Sequence, residues 1–97
     1  MKSNRGAIRV RCEPRIKWSV ESKGVVLINP AKNEVLQLVY PEAAVWDLIQ
    51  RSYSFEKTLK LLSAITLEDE KKVMDFFMRT LQEWIEKGIL IVEAVYG

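Results

Sequence analysis

The stretch "EVLQLVYPEAAVWDLI", residues 34–49, changes its hydrophobic period at Pro41 and decides the predicted fold. Before the proline, the apolar residues are crowded as in a strand: Val35, Leu36, Leu38 and Val39. After it, they take the i, i+1, i+4, i+5 spacing of a helix: Ala44, Val45, Leu48 and Ile49. Pro41 suits the first helical position, because its φ is fixed near the helical value and its missing N–H would have had no partner there. We therefore predict a strand over 35–39 and a helix over 41–51, with Trp46 at the margin of its buried face.

Short strands separated by turns are predicted upstream of this stretch. Alternation of apolar and polar residues with period two indicates half-buried strands at "IRVRC" and, after Pro14, at "IKWSV". The compact apolar run "VVLI" indicates another strand, and the segments "ESKG" and "NPAKNE" carry residues typical of tight turns. The predicted strands cover residues 8–12, 16–20, 25–28 and 35–39. The last three are joined by local turns and form an antiparallel meander.

Two further helices and a tail are predicted downstream. Ser54 can cap a second helix, and the buried stripe of that helix is predicted to be Leu59, Leu62 and Ile65. The segment "TLED", beginning at Thr66, is similar to a capping box and starts a long third helix, which Gly88 ends as the C′ residue. The following "ILIV" segment adds a short strand or packs on the core. The element order predicts an α+β fold of the winged helix-turn-helix type, in which a three-stranded antiparallel β-meander is followed by three α-helices (βββααα).

Length and composition predict one globular domain over residues 1–97, with residues 1–7 flexible. Apolar residues make up 48% of the chain and charged residues 29%, which argues against disorder. No apolar run approaches the roughly 20 residues that cross a bilayer, and no signal peptide is recognised, so we expect a cytoplasmic protein without a membrane partner. Cys12 is the only cysteine, which excludes an internal disulfide. It is interpreted as a half-buried strand residue rather than a reactive thiol.

Positive charge is concentrated in the first 23 residues, which hold seven basic and two acidic side chains. The remaining 74 residues hold eight basic and eleven acidic side chains. A basic arm on a mildly acidic body is compatible with an anionic partner, and equally with a solvated strand whose opposite face is buried.

Residues that most catalytic sites require are absent from the sequence. The chain has no histidine, and neither a GxxxxGK[ST] nor a GxGxxG segment occurs. The carboxylates of the third helix are consecutive at residues 68–70 or lie on its outer face, a pattern typical of solvated charges. We therefore predict a binding protein with no catalytic residue, no bound metal and no cofactor.

The third helix carries a wider apolar arc than a small core requires, about 200° against the roughly 100° of a typical surface helix. The centre of the arc consists of Val73, Phe77, Leu81 and Trp84. It is extended on one side by Phe76 and Thr80, and on the other by Met74, Met78 and Ile85. We expect Thr80 to be only partly buried, and part of the arc to line a groove.

Three segments together carry a family resemblance: "VLQLVYPEAAVWDLI", "SFEKTLKLL" and "LQEWIEKGIL". The residues that match the family's hydrophobic signature are Leu38, Ala43, Ala44, Val45, Trp46, Leu48, Leu81, Gly88 and Leu90. From roughly Pro14 to Leu90, the chain resembles PqqD and the related recognition elements of ribosomally made, modified peptides (RiPPs). These are small winged-helix domains that bind the leader of a precursor peptide. The sequence departs from the family's usual residues at Val39, Pro41, Gln50 and Arg51.

The resemblance implies a PqqD-like peptide chaperone of natural product biosynthesis that has no enzyme activity. It implies that the leader adds as an antiparallel strand to the edge of the third strand, in the cleft against the third helix. Because helices rather than a strand follow the third strand, this edge can stay unpaired. The residues expected to contact the leader are Val35, Leu36, Gln37, Leu38, Val39, Val73, Phe76, Phe77, Arg79 and Thr80. A modifying enzyme, for example a radical SAM maturase, is expected to receive the precursor.

Two other functions stay open as alternatives. A winged helix can bind DNA, but the third helix begins with Glu68, Asp69 and Glu70, whose carboxylates would repel phosphates. No nucleic acid partner is therefore expected beyond salt-sensitive contacts of the N-terminal arm. An unpaired strand edge can also pair with a second copy, which would make the chain a homodimer or a structural, dimerising subunit of an enzyme complex.

Overall fold

The structure, a computed structural model, describes residues 7–95, with side chains described for residues 10–92. The elements in this range are β1 (Ala7–Cys12), β2 (Lys17–Glu21), β3 (Gly24–Asn29), β4 (Glu34–Leu38), α1 (Glu42–Gln50), α2 (Phe55–Thr66), α3 (Glu70–Glu86) and β5 (Leu90–Val95). Of the segment predicted to be flexible, residues 1–6 lie outside the described range and Ala7 begins β1.

The predicted meander is confirmed as a three-stranded antiparallel sheet in the order β2-β3-β4. In its register Leu27 lies opposite Trp18 on one side and Leu36 on the other. The turn between β3 and β4 places Asn33 at φ 53°, a left-handed conformation that asparagine tolerates. Three helices follow the sheet, so the prediction of βββααα is confirmed for β2 to α3.

A second, two-stranded sheet pairs the two ends of the described chain. β1 lies antiparallel to β5, with Cys12 opposite Leu90. The "ILIV" segment therefore forms a strand, and it also packs on the core, because Ile89 and Leu90 are buried. Cys12 is half-buried on β1, as the sequence predicts.

The prediction that β2 buries one of its faces is wrong. All five residues of the strand are exposed, with Trp18 41% and Val20 72% accessible. The helices cover little of this strand: Trp18 touches the buried Trp46 ring edge-on, at a centroid distance of 6.1 Å, and Val20 stays open to solvent. Of the predicted face, Ile16 alone is buried, and it precedes the strand.

Helix α1 begins at Glu42, one residue later than predicted, and Pro41 is its N-cap. The N–H of Ala43 donates to the carbonyl of Val39, which joins the helix directly to the end of β4. Placing Trp46 at the margin of the buried face is wrong, because it is among the most deeply buried side chains. Its ring makes edge contacts with two other tryptophans, Trp18 and Trp84, at centroid distances of 6.1 and 5.7 Å.

The cap predicted for α2 is confirmed, because the Ser54 hydroxyl accepts a hydrogen bond from the N–H of Lys57 at 3.1 Å. One residue of the stripe predicted to be buried on α2 is exposed instead. Ile65 is 47% exposed, and Thr58 is buried on the inner side of the helix.

The start of α3 also differs from the prediction. Thr66 is the last residue of α2, where its hydroxyl donates to the carbonyl of Leu62. The N-cap of α3 is Asp69, whose carboxylate accepts from the N–H of Lys72 at 2.9 Å. Carboxylates are favoured at this position because they accept the unpaired N–H groups of the first turn.

The core lies between the inner face of β3 and β4 and the three helices. The predicted centre of the α3 arc is confirmed as buried, in the residues Val73, Phe77, Leu81 and Trp84. These side chains pack with the buried residues of the sheet, Val25, Leu27 and Leu38. Gly88, at φ 78°, follows the C-cap of α3 as predicted.

Candidate functional site

Strand β4 leaves one edge unpaired among the strands of the described residues, because the sheet order places it outermost. Alternate residues of such a strand direct their N–H and C=O groups away from the sheet, where another strand can accept and donate. Leu36 and Leu38 turn toward the core, whereas Val35 and Gln37 are exposed. Val39, predicted as part of the strand, follows it and is half exposed.

The end of β4 lies beside the start of α3. The Tyr40 hydroxyl donates to the carbonyl of Ile65, near the end of α2, at 3.4 Å. Tyr40 and Pro41 also line a pocket together with Val73 and Phe76 of α3. The side of α3 that carries Phe76 therefore faces this end of β4.

The start of β4 lies beside the end of α3. The ammonium group of Lys32, in the turn before β4, donates to the carbonyl of Lys87 at 2.8 Å. Since the strand ends near the start of the helix and begins near its end, β4 and α3 run antiparallel to each other. We call the space between the β4 edge and the Phe76 side of α3 the β4–α3 groove.

The Tyr40 end of this groove holds a pocket of about 440 Å³. It is lined by Tyr40, Pro41, Thr66, Glu68, Lys72, Val73 and Phe76. Of these, only Val73 and Phe76 were predicted to be site residues. The period of the helix could have added Lys72, which lies one turn before Phe76. No pattern in the sequence brings Thr66 and Glu68 beside Tyr40.

Three of the predicted helix residues, Phe77, Arg79 and Thr80, do not line this pocket. Phe77 lies away from the pocket: it packs against Phe55 of α2 at a centroid distance of 5.5 Å and lines a different cavity. Thr80 is 6% exposed, so the expectation of partial burial is wrong. Its hydroxyl donates to the carbonyl of Phe76, so this buried polar group has a hydrogen-bond partner within the helix. Arg79 is exposed on the outer surface of α3.

A larger cavity of about 800 Å³ lies on the opposite side of α3. Its lining residues come from β1, from the end of α1 and its connection to α2, and from α2 and α3: Val10, Arg11, Cys12, Ile49, Gln50, Ser52, Tyr53, Ser54, Phe55, Thr58, Phe77, Met78 and Leu81. Burial raises the pKa of the Cys12 thiol, although a hydrogen bond from Gln50 partly opposes this. The thiol is thus less ionised than an ordinary cysteine and less nucleophilic.

Among residues 7–95, no group of three or more His, Cys, Asp or Glu side chains is placed to hold a metal ion. None of the described helices is both long enough and apolar enough to span a bilayer.

The described residues thus define an α+β fold in which an unpaired strand edge runs beside one side of a long helix. A similar fold occurs in a solved structure of a lasso peptide synthetase B1 complexed with the leader peptide. The match has a TM-score of 0.78 at 17% sequence identity, and covers 86% of this chain and 98% of that one. Models of known protein families give no match to the sequence, and curated proteins give none either.

Proposed function

We propose that this protein is a non-catalytic, leader-binding protein of RiPP biosynthesis. It captures the leader of a ribosomally made precursor by strand addition at β4 and presents the precursor to a modifying enzyme, such as a radical SAM maturase. The observation that carries the proposal is the unpaired edge of β4 beside the Phe76 side of α3. The fold likeness supports it, since the similar protein was solved with a leader peptide.

The groove offers the two kinds of contact that strand addition uses. Main-chain groups of β4 supply hydrogen bonds without regard to the sequence of the peptide. Every second side chain of an added strand would point toward α3, where the pocket beside Val73 and Phe76 gives selectivity for an apolar group. Because an extended leader must be ordered as it binds, we expect a Kd on the order of micromolar, which corresponds to a binding free energy of about −8 kcal/mol.

The two alternatives predict different partners. The start of α3 opposes DNA binding, because its N-cap is a carboxylate and the flanking Glu68 and Glu70 are exposed. Pairing of β4 with a second copy would use the same edge as the leader, so leader and dimer would compete.

Binding of a synthetic peptide tests the proposal, with the leader sequence taken from a short precursor gene beside the gene for this protein. Phe76→Ala should weaken binding by about tenfold, because it removes a wall of the pocket while leaving the fold standing. Met74→Ala is the matched control: it removes an exposed apolar side chain from the opposite side of the same helix and should bind as the parent does. Equal affinities for parent and Phe76→Ala would place the peptide elsewhere.

Strand addition itself is tested by methylating the peptide's amide nitrogens one at a time. In an antiparallel pair, only alternate residues of the peptide donate to β4. N-methylation should therefore abolish binding at alternate positions and be tolerated at the positions between them. A flat response along the peptide would contradict strand addition even if the affinity is high.

A further inference from the structure

Leu67, the C-cap of α2, combines a left-handed backbone with an exposed apolar side chain. Its φ is +61°, in the left-handed region, which leucine rarely adopts and which glycine or asparagine tolerate better. It is also 89% exposed, so its side chain adds almost nothing to the core. The cap accounts for the backbone, because the N–H of Leu67 donates to the carbonyl of Ser63 at 2.9 Å. It does not account for an exposed leucine at a position that glycine or asparagine would fill with less strain, and this choice of residue points to a role in binding.

The position of Leu67 connects it to the β4–α3 groove. Its neighbours Thr66 and Glu68 both line the pocket at the Tyr40 end. Tyr40 and Ile65 are joined there by the hydrogen bond to the Ile65 carbonyl, and both side chains are about half exposed. We call the exposed side chains of Tyr40, Ile65 and Leu67 the end patch: Tyr40 lines the pocket, and Ile65 and Leu67 flank Thr66, which also lines it.

The direction of an added strand decides which part of the leader reaches the end patch. Every strand pair among residues 7–95 is antiparallel, and antiparallel pairing is slightly more stable per residue. A peptide antiparallel to β4 starts at the Tyr40 end and leaves at the end marked by Lys32 and Lys87. Its residues that precede the added strand are then the ones nearest to the end patch.

We propose that the end patch binds an apolar side chain in the leader segment immediately before the added strand. This inference rests on the proposed function and adds a second anchor to it, outside the groove. The opposite end of the groove carries positive charge instead, from the ammonium groups of Lys32 and Lys87. The apolar anchor therefore lies on the N-terminal side of the strand, and the segment to be modified leaves past the two lysines.

Leu67→Asn is a clean probe of the end patch. Asparagine accepts a left-handed backbone, so the variant should unfold at the same temperature as the parent or higher. Ser52→Asn is the matched control, because Ser52 is also exposed and left-handed, at φ 58°, but lines the other cavity. The probes are the synthetic leader described above, and a shortened form that lacks the residues before the strand.

With the full leader, we expect Leu67→Asn to raise Kd about tenfold, the effect of exposing part of one leucine side chain, and Ser52→Asn to leave Kd unchanged. With the shortened leader, parent and Leu67→Asn should bind alike, and both more weakly than the parent binds the full peptide. Equal affinity of parent and Leu67→Asn for the full leader would overturn the end patch. The end patch would also be overturned if Leu67→Asn bound the shortened leader more weakly than the parent does. The same holds if the difference between the two proteins disappeared only with a peptide shortened at its C-terminal end. Phe76→Ala should weaken both peptides, which separates failure of the end patch from failure of the groove.

Discussion

Gly24→Ala should destabilise the protein strongly, because the added methyl group would meet the main chain of β4. Gly24 has φ +141°, and a Cβ there would lie 1.9 Å from the carbonyl oxygen of Leu38. β4 would have to move by about 1.1 Å to restore even a 3.0 Å separation. A side chain at such a φ costs about 1 to 3 kcal/mol, and each ladder hydrogen bond that is lost costs about 1 kcal/mol more. We therefore expect the free energy of unfolding to fall by about 3 kcal/mol or more.

Thermal unfolding followed by tryptophan fluorescence measures this loss, because Trp46 is buried between two other tryptophan rings. A domain of this size loses about 4 to 8 °C of Tm per kcal/mol, so Tm should fall by about 12 °C or more. Gly88→Ala is the control: a Cβ there meets nothing closer than the Lys32 ammonium group at 3.5 Å, leaving only backbone strain of about 1 kcal/mol. If the two variants lose the same Tm, the close approach of β3 to β4 at Gly24 is wrong.

Three further predictions test other parts of the structure. Asp69→Ala should lower the free energy of unfolding by about 1 kcal/mol through loss of the α3 cap, whereas Asp75→Ala, an exposed carboxylate on the same helix, should not; thermal unfolding of both decides this. Burial raises the pKa of Cys12, so the rate of its alkylation by iodoacetamide should rise with a midpoint above the ordinary thiol value of about 8.5, and return to that value in urea; an unshifted midpoint in the folded protein would contradict this. No sequence-specific gel shift with duplex DNA is expected at about 0.15 M salt, and a shift that depends on sequence would show that the acidic start of α3 does not prevent DNA binding.

Most of the fold follows from periods and end signals in the sequence. The change of period at Pro41 places the boundary between β4 and α1 to within a residue or two. Ser54 and Gly88 mark helix ends, because a hydroxyl cap and a left-handed glycine serve local needs of the backbone.

The wrong predictions of burial arise because the hydrophobic period of a segment does not show which other elements cover it. Val20 and Ile65 continue apolar stripes correctly, yet both are exposed, because each stripe extends beyond the elements that pack against it. Trp46 is buried for the opposite reason: two distant tryptophan rings enclose a position that the helical stripe places at its margin. Thr66 looks like a cap in the sequence, but the N–H groups that need one belong to a helix whose N-cap lies three residues later, where Asp69 accepts from Lys72.

The candidate site was predicted only in part for the same reason. An unpaired edge on β4 follows from the element order, since helices come after it. The sequence does not show which side of α3 faces this edge. A helical period gives the angles between side chains around the helix axis, but not the direction in which the sheet lies. Contacts between distant residues, Tyr40 with Ile65 and Lys32 with Lys87, decide it.

The most direct test of leader capture at β4 is an NMR titration of the isotope-labelled protein with the synthetic leader. Strand addition predicts amide shifts concentrated in residues 34–40 and 72–80, together with nuclear Overhauser contacts between peptide amides and the main chain of Val35 or Gln37. Binding that leaves β4 unshifted, and instead moves residues 10–12 and 49–55 around the larger cavity, would contradict it.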